Sequence, residues 1–196
     1  SISTYELSPS MEKRPEETRE KLSLRFFPEG GQLVEGITSQ VAFKAESKNE
    51  GNIQLSGTLY TKEGQEITSF ETLHDGMGAF EYTPSALPAI AKVNFQGKQY
   101  EFTLPKALPS GYILKVGNNA GAISVTVCCN AAPPQDTLAV FISHQGRPHA
   151  YQLIHCQANK PQQFTVLSRK LPAGVLQISL LNRAGNTLCD RFIFAS

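Results

Sequence analysis

The chain consists mainly of short runs in which apolar and polar residues alternate, and glycine, proline, asparagine or aspartate ends most of them. Alternation with a period of two is typical of a β-strand that buries one face. Seven such runs precede residue 105 and seven follow residue 110. Each cycle has about 85 to 90 residues, the size of one immunoglobulin-like β-sandwich. We therefore predict an all-β protein of two tandem sandwiches, each with about seven strands.

The pattern divides the chain into three segments. Residues 1–21 are a charged linker or tail, because residues 11–21 mix both charges around Pro15 with almost nothing apolar to bury. Residues 22–105 form the first sandwich and residues 106–196 the second. Pro105 and Pro109 restrict the backbone between them, which predicts a short, stiff junction at residues 106–110.

Several strand and turn positions follow from the same pattern. The alternation over residues 53–60 predicts one strand, and Gly117, Asn118 and Asn119 predict a turn. Further turns are expected at residues 28–31, 62–65, 74–78, 96–98, 131–135, 145–147, 158–161 and 184–186. Sustained helical periodicity is absent from the sequence, which disfavours an α/β enzyme scaffold.

The charge balance excludes some partners. With 18 basic and 17 acidic residues, the chain lacks the broad positive surface that nucleic acid or an anionic membrane would attract. Apolar runs stay well below the roughly 20 residues that a membrane-spanning helix needs. Residues 1–10 do not resemble a signal peptide, and the chain stops directly after an apolar run. We expect it to be part of a longer protein.

The four cysteines, Cys128, Cys129, Cys156 and Cys189, all lie in the second cycle and form no CxxC pair. Alternation places Cys129 with Ile123 and the core-facing residues of its strand, and Cys128 with the polar face. Buried free cysteine is common. A bridge such as Cys156 to Cys189 stays open, because spacing does not establish connectivity.

Histidines raise two site hypotheses, and we favour neither. Together with Cys156, the residues His144, His149 and His155 suggest zinc, yet their order matches no common ligand motif, and alternation points His155 and Cys156 to opposite faces. His74 and Asp75 suggest an acid/base pair, but adjacent residues in a turn rarely form a catalytic relay. We therefore predict no catalytic, metal or cofactor residues, with ligand-binding residues unknown.

Aromatic residues on the surface of a sandwich can bind sugars or peptides by stacking. The strand positions of most phenylalanines favour a core role over stacking on the surface; these are Phe26, Phe43, Phe80, Phe95, Phe102 and Phe141. The tyrosines whose exposure would favour a binding role are Tyr60, Tyr82, Tyr100, Tyr112 and Tyr151.

Longer motifs resemble macroglobulin-like (MG2-type, α-2-macroglobulin-related) sandwich domains of large Bacteroidetes cell-envelope proteins, which often precede carboxypeptidase-regulatory-like or TonB plug-like regions. The motifs are LRFFPEGGQLVEG at residues 24–36, VAFKA at 41–45, LHDGMGAFEYTP at 73–84, LPKALPSGY at 104–112 and LNRAGNTLCDRFIF at 181–194. The thioester motif and bait segment by which α-2-macroglobulins trap proteases are missing from this sequence. The resemblance implies an exported, periplasmic or outer-membrane-associated protein.

Together these observations predict a non-catalytic pair of structural or interaction modules within a larger bacterial envelope protein. The expected partners are other domains of the same parent chain, and in addition a protein or glycan ligand. The alternatives are a carbohydrate- or peptide-binding adhesion module and, last, accessory domains of an enzyme. An exposed tyrosine cluster would favour the first alternative. A deep pocket that joins a histidine to a carboxylate would favour the second.

Overall fold

The computed structural model describes residues 22–130 and 137–196, and these are built from antiparallel β-strands. The predicted tail at residues 1–21 and the predicted turn at residues 131–135 lie outside the described residues. The strands are β1 Leu22–Pro28, β2 Ser39–Ser47, β3 Gly51–Asn52, β4 Ser56–Tyr60, β5 Glu66–Glu71, β6 Met77–Tyr82, β7 Ile90–Phe95, β8 Lys98–Thr103, β9 Tyr112–Asn119, β10 Ala122–Cys129, β11 Thr137–His144, β12 Arg147–His155, β13 Gln162–Leu167, β14 Gly174–Leu181 and β15 Thr187–Ala195. Short 3-10 turns occupy Glu29–Gly31 and Ser168–Lys170.

Strands β1 to β8 form the first sandwich. In one sheet β2 pairs with β1 along one edge and with both β3 and β6 along the other. The facing sheet has the order β5-β4-β7-β8. Alternation explains the packing, since Val41, Phe43 and Ala45 of β2 are buried while the residues between them are not. The buried faces of both sheets meet in one core that also includes Leu59 and Phe80.

Strands β9 to β15 form the second sandwich, whose sheets have the orders β13-β10-β9 and β12-β11-β14-β15. Ile123, Val125 and Val127 of β10 face Ile178 and Leu180 of β14 across a second core. The all-β fold and its sandwich domains are therefore as the sequence predicts.

Two-residue turns connect several strand pairs, and their backbone angles explain the turn residues. Gln96 and Gly97 have φ angles of 51° and 76°, and Gln145 and Gly146 have 49° and 78°. Positive φ at both positions matches the type I′ turn that suits the twist of a hairpin. Both turns lie where the sequence predicted them.

Two local predictions are wrong. The predicted turn at Gly117, Asn118 and Asn119 is part of β9, because these residues pair with β10, and the chain reverses instead at Ala120 and Gly121. The predicted strand over residues 53–60 begins only at Ser56. Ile53 and Leu55 are nevertheless buried, so the apolar pattern there reflects burial in the core without strand pairing over the whole run.

Candidate functional site

The most specific interactions lie where the two sandwiches meet. Val34 and Ile37, from the loop that precedes β2, pack with Ile113 of β9 and Cys128 of β10. All four side chains are buried, and Val34 is completely inaccessible to solvent. We call these four residues the junction cluster. Because it removes apolar surface of both sandwiches from water, it favours one arrangement over a freely jointed pair.

The connecting segment is itself paired to the first sandwich. Val34 and Leu108 form a parallel bridge. The Leu108 N–H donates to the Leu33 carbonyl at 2.8 Å, and the Glu35 N–H donates to the Leu108 carbonyl at 2.9 Å. These backbone hydrogen bonds restrain the junction in addition to the two prolines that flank it.

Asn130 ties the loop before β2, the connecting segment and the end of β10 together. Its Nδ2 donates to the Pro109 carbonyl at 2.7 Å and to the Glu35 carbonyl at 3.2 Å. Its Oδ1 accepts from the Gly111 N–H at 3.4 Å. The side chain is only 8% exposed, so these bonds replace lost water contacts that would otherwise be costly. In the sequence Asn130 is indistinguishable from an ordinary turn asparagine.

Two further side chains cross between the sandwiches. Gln32 Nε2 donates to the Tyr112 carbonyl at 3.2 Å, and Lys115 Nζ donates to the Thr38 carbonyl at 2.7 Å. Gly30, at a φ of 79°, lies against β9, where an added Cβ would be 3.4 Å from the Leu114 carbonyl oxygen. Gly30 of the first module thus lies in the contact between the sandwiches.

The cysteines occupy three environments, and one prediction about them is wrong. Cys129 faces the second core as predicted, but Cys128 is buried in the junction cluster and does not lie on a polar surface. The first sandwich covers that face of β10, which strand alternation by itself does not reveal. Burial is the main cause that raises the pKa of the Cys128 thiol; Lys115 opposes the shift, and Cys129 and Glu29 reinforce it.

Cys156 lies beside Cys129 and not beside Cys189. The Sγ atoms of Cys156 and Cys129 are 2.6 Å apart. Cys189 is half-buried on β15, where its Sγ donates to the Tyr112 carbonyl at 3.4 Å. Burial, reinforced by Asp190, raises the pKa of Cys189 to about 11. The geometry therefore does not favour the Cys156–Cys189 bridge that the sequence left open.

The histidines of the second sandwich do not form a compact ligand set. His144 and His149 lie edge to face with ring centroids 6.2 Å apart. His155 is exposed, whereas Cys156 is buried on the opposite side of the chain. Within residues 22–130 and 137–196, no three His, Cys, Asp or Glu side chains are placed to hold a metal ion.

His74 and Asp75 are in contact but lie on an exposed turn. Nε2 of His74 is 2.9 Å from Oδ2 of Asp75, and the two side chains are 80% and 61% exposed. Asp75 and Gly76 have positive φ angles, and His74 bridges to Met77 across the turn. The two central residues shape this turn, as the sequence indicated.

A shallow groove of about 570 Å³ lies over the outer face of β4, β5 and β7 in the first sandwich. Tyr60 and Lys92 line it, and Lys92 Nζ lies 5.0 Å from the centroid of the Tyr60 ring. Lys92 also pairs with Glu101 at 3.7 Å. The lysine of the groove is therefore already engaged by neighbouring side chains.

The tyrosines do not assemble into an exposed platform. Tyr151 is exposed, Tyr82 is buried, and Tyr60, Tyr100 and Tyr112 are partly buried. The predicted core role holds for Phe43 and Phe80, and Phe26, Phe95 and Phe102 pack against the same core. Phe141 is the exception, because it stacks on Tyr151 with ring centroids 5.9 Å apart on the outer face of the second sandwich.

Within residues 22–130 and 137–196, the structure contains no helix of the length and apolar character that crossing a membrane requires.

No protein-family model matches the chain, and no curated protein matches it. Solved structures that align with it include bacterial α-2-macroglobulins. The native conformation of Escherichia coli α-2-macroglobulin is 14% identical, with a TM-score of 0.29, over 89% of this chain and 14% of that chain. The trypsin-activated E. coli form is 14% identical, with a TM-score of 0.29, over 89% of this chain and 16% of that chain. Salmonella α-2-macroglobulin reacted with methylamine is 8% identical, with a TM-score of 0.30, over 90% of this chain and 17% of that chain.

The chain spans less than a fifth of the length of these structures. At these TM-scores and identities the alignments carry no argument about what this chain does.

Proposed function

We propose that the chain is a non-catalytic, macroglobulin-like pair of sandwiches that spaces and presents neighbouring parts of a larger bacterial cell-envelope protein. The observation that carries the proposal is the interlocked junction, in which Asn130 and the junction cluster hold the sandwiches in one orientation. A spacer needs a defined orientation, because a flexible joint would not fix the distance between the parts it connects. The motif resemblance of the first sandwich supports the macroglobulin-like and envelope assignments.

Residual dipolar couplings test the proposal. Residues 22–130 and 137–196 of the unmodified chain should fit a single alignment tensor. Replacing Asn130 by aspartate preserves the size of the side chain but removes the Nδ2 donor, and places a carboxylate against the Pro109 and Glu35 carbonyls. We expect N130D to give a different tensor for each sandwich while both remain folded.

Asn118→Asp is the matched control. Asn118 is exposed, and its Nδ2 donates to the Phe194 carbonyl at 3.0 Å within the second sandwich. N118D should therefore leave the single tensor unchanged. Two independent tensors in the unmodified chain would contradict the proposal, because the junction would then be a hinge.

Cell fractionation tests the proposed location. The complete parent protein, tagged and expressed in its native bacterium, should be recovered in the periplasmic or outer-membrane fraction. Recovery in the cytoplasm would contradict the envelope assignment while leaving the rigid junction unaffected.

The alternative of a carbohydrate- or peptide-binding module has less support. Its site would be the groove that Tyr60 and Lys92 line, but the exposed tyrosine cluster that would favour it does not form. Lys92 is moreover engaged by Tyr60 and Glu101. The accessory-enzyme alternative would be favoured by a deep pocket that joins a histidine of the second sandwich to a carboxylate. The groove described above lies in the first sandwich and has no histidine in its lining.

A further inference from the structure

Cys129 and Cys156 lie on opposite layers of the second sandwich. Cys129 is the last residue of β10, in the sheet β13-β10-β9, and Cys156 directly follows β12, in the facing sheet. Their Sγ atoms are 2.6 Å apart, and the residues are 4% and 1% exposed. The two sulfurs therefore meet in the core between the sheets.

The distance between the two sulfurs is short for separate thiols. Hydrogen bonds between the smaller nitrogen and oxygen atoms span about 2.7 to 3.2 Å, whereas a disulfide bond is about 2.05 Å long. We propose that Cys129 and Cys156 form a disulfide that joins the two sheets of the second sandwich. This inference does not depend on the proposed spacer function.

The backbone holds these two segments together independently of the sulfurs. The Asn159 N–H, three residues beyond Cys156, donates to the Cys129 carbonyl at 3.0 Å. Ile154, two residues before Cys156 on the same face, packs in the same core as Cys129. The fold therefore brings the two segments together, and the two sulfurs lie where these segments meet.

The other two cysteines are directed elsewhere. Cys128 precedes Cys129 on the opposite face of β10 and is buried in the junction cluster. Cys189 donates to the Tyr112 carbonyl. Four cysteines allow six different single bridges, and the structure favours the one between Cys129 and Cys156, with Cys128 and Cys189 left as thiols.

Oxidation is expected while the chain folds. Burial, with smaller contributions from the neighbouring cysteines, raises the pKa of Cys156 far above its ordinary value, and thiol–disulfide exchange requires a thiolate. Once the core has closed, Cys156 is therefore a poor nucleophile.

The oxidant is a disulfide, either of a thiol–disulfide oxidoreductase or of a small thiol. The Cys129 thiolate attacks one oxidant sulfur, which forms a mixed disulfide and releases the other sulfur as a thiolate. The Cys156 thiolate then attacks Cys129 Sγ, which forms the protein disulfide and releases the second oxidant thiolate. Both electrons pass to the oxidant, and the two cysteine protons pass to solvent or to the released thiolates.

The bridge should stabilise the second sandwich. Its cysteines are 27 positions apart, and a crosslink over such a loop reduces the conformational freedom of the unfolded chain. For a domain of about 90 residues we expect folding without oxidant to lower the Tm of the second sandwich by about 10 to 20 °C.

Refolding in oxidised and reduced glutathione, followed by alkylation in denaturant, tests the assignment. The refolded chain should take up two alkyl groups of the four that full reduction allows. Before alkylation, its mass should be lower by about 2 Da, the two hydrogens lost on oxidation. Peptide mapping should identify the bridge between Cys129 and Cys156.

Paired alanine variants provide the control. C128A/C189A should keep the mass loss and the oxidant-dependent Tm, whereas C129A/C156A should lose both. Comparing oxidised with reduced unmodified protein keeps the test valid if C129A/C156A does not fold. Four alkylated cysteines after refolding, or a bridge that maps to Cys128 or Cys189, would overturn the proposal.

Discussion

The two sandwiches have similar architectures, but their cores consist of different kinds of residue. In the first, the ring centroid of Phe43 lies 5.1 Å from that of Phe70 and 6.1 Å from that of Phe80, and the rings of Phe26 and Phe80 form a T-shaped pair. In the second, the core is aliphatic and includes two cysteines, while the stacked pair Phe141 and Tyr151 lies on its outer face.

Among the described residues, each buried aromatic ring belongs to the first sandwich. An aromatic cluster concentrates much apolar area in a few side chains. A core of smaller residues spreads the apolar area over more side chains. A crosslink between the two sheets of such a core would therefore contribute more to its stability. The stabilities of the two sandwiches should therefore differ in their response to a shortened core side chain, an added methyl group and a rise in pH.

The largest expected effect is the loss of the central ring of the first core. Phe43→Ala removes a 1%-exposed side chain and should lower the free energy of unfolding of the first sandwich by about 3 to 5 kcal/mol. Chemical denaturation followed by methyl NMR signals of each sandwich would measure the effect separately. The second sandwich should be unchanged.

Phe27→Ala is the surface control, because Phe27 is 49% exposed. Its replacement should cost far less than that of Phe43. Equal losses in both sandwiches after Phe43→Ala would show that they unfold as one unit, and the comparison between separate cores would fail.

A smaller effect is expected from adding one methyl group in each sandwich. A Cβ at Gly57 would lie 2.5 Å from Val93 Cγ1 and 2.7 Å from both the Lys92 carbonyl oxygen and Phe70 Cζ. Gly57→Ala should therefore destabilise the first sandwich by about 1 to 3 kcal/mol, as thermal or chemical unfolding would show.

Gly117→Ala is the matched change in the second sandwich. The neighbour of its added Cβ is Ser124 Oγ at 2.8 Å, the end of a side chain that can rotate away. We expect G117A to cost less than G57A. The reverse order would show that the aromatic core of the first sandwich adapts more readily than its close packing indicates.

The smallest expected effect is a difference in sensitivity to alkali. Burial, reinforced by Asp190, raises the pKa of Cys189 to about 11 in the folded chain, whereas an ordinary thiol has a pKa of about 8.5. Between these pH values the unfolded chain loses its Cys189 proton first, so the free energy of unfolding of the second sandwich should fall as pH rises, by about 1 kcal/mol or more.

The first sandwich should keep its stability to a higher pH, because its buried Tyr82 is a phenol. Burial raises the pKa of Tyr82 above its ordinary value, although the hydrogen bond from the Ala89 N–H opposes this shift. Denaturation from pH 8 to pH 11, monitored by methyl signals, would compare the two. Cys189→Ala should reduce the loss in the second sandwich between pH 9 and pH 11. If the second sandwich of this variant loses as much stability as the unmodified one, titratable groups other than Cys189 cause the loss.

Much of the fold could be predicted because its signals are local. Alternation identified the seven strands of the second sandwich, and glycine at positive φ marked turns such as the one at Gln96 and Gly97. The same reasoning placed Cys129 in the core. It failed at Gly117 to Asn119, because turn-forming residues also occur in strands when a neighbouring strand pairs with them.

The site depended on contacts between residues distant in the chain. Asn130 bonds to the carbonyl of Glu35, which lies 95 positions away, and nothing in the local sequence marks either partner. Cys128 was assigned to a polar surface because its own strand gives no sign that Val34 and Ile37 cover it.

By itself, then, the sequence determined the β-strands and the class of fold, because side-chain alternation follows directly from backbone geometry. Tertiary structure alone decided which faces meet, how the sandwiches lock at Asn130, and that Cys156 lies beside Cys129 and not Cys189. The physical reason is that strand formation depends on residues that are adjacent in the sequence. Burial, hydrogen bonding and the distance between sulfurs of different layers depend on how whole sheets pack.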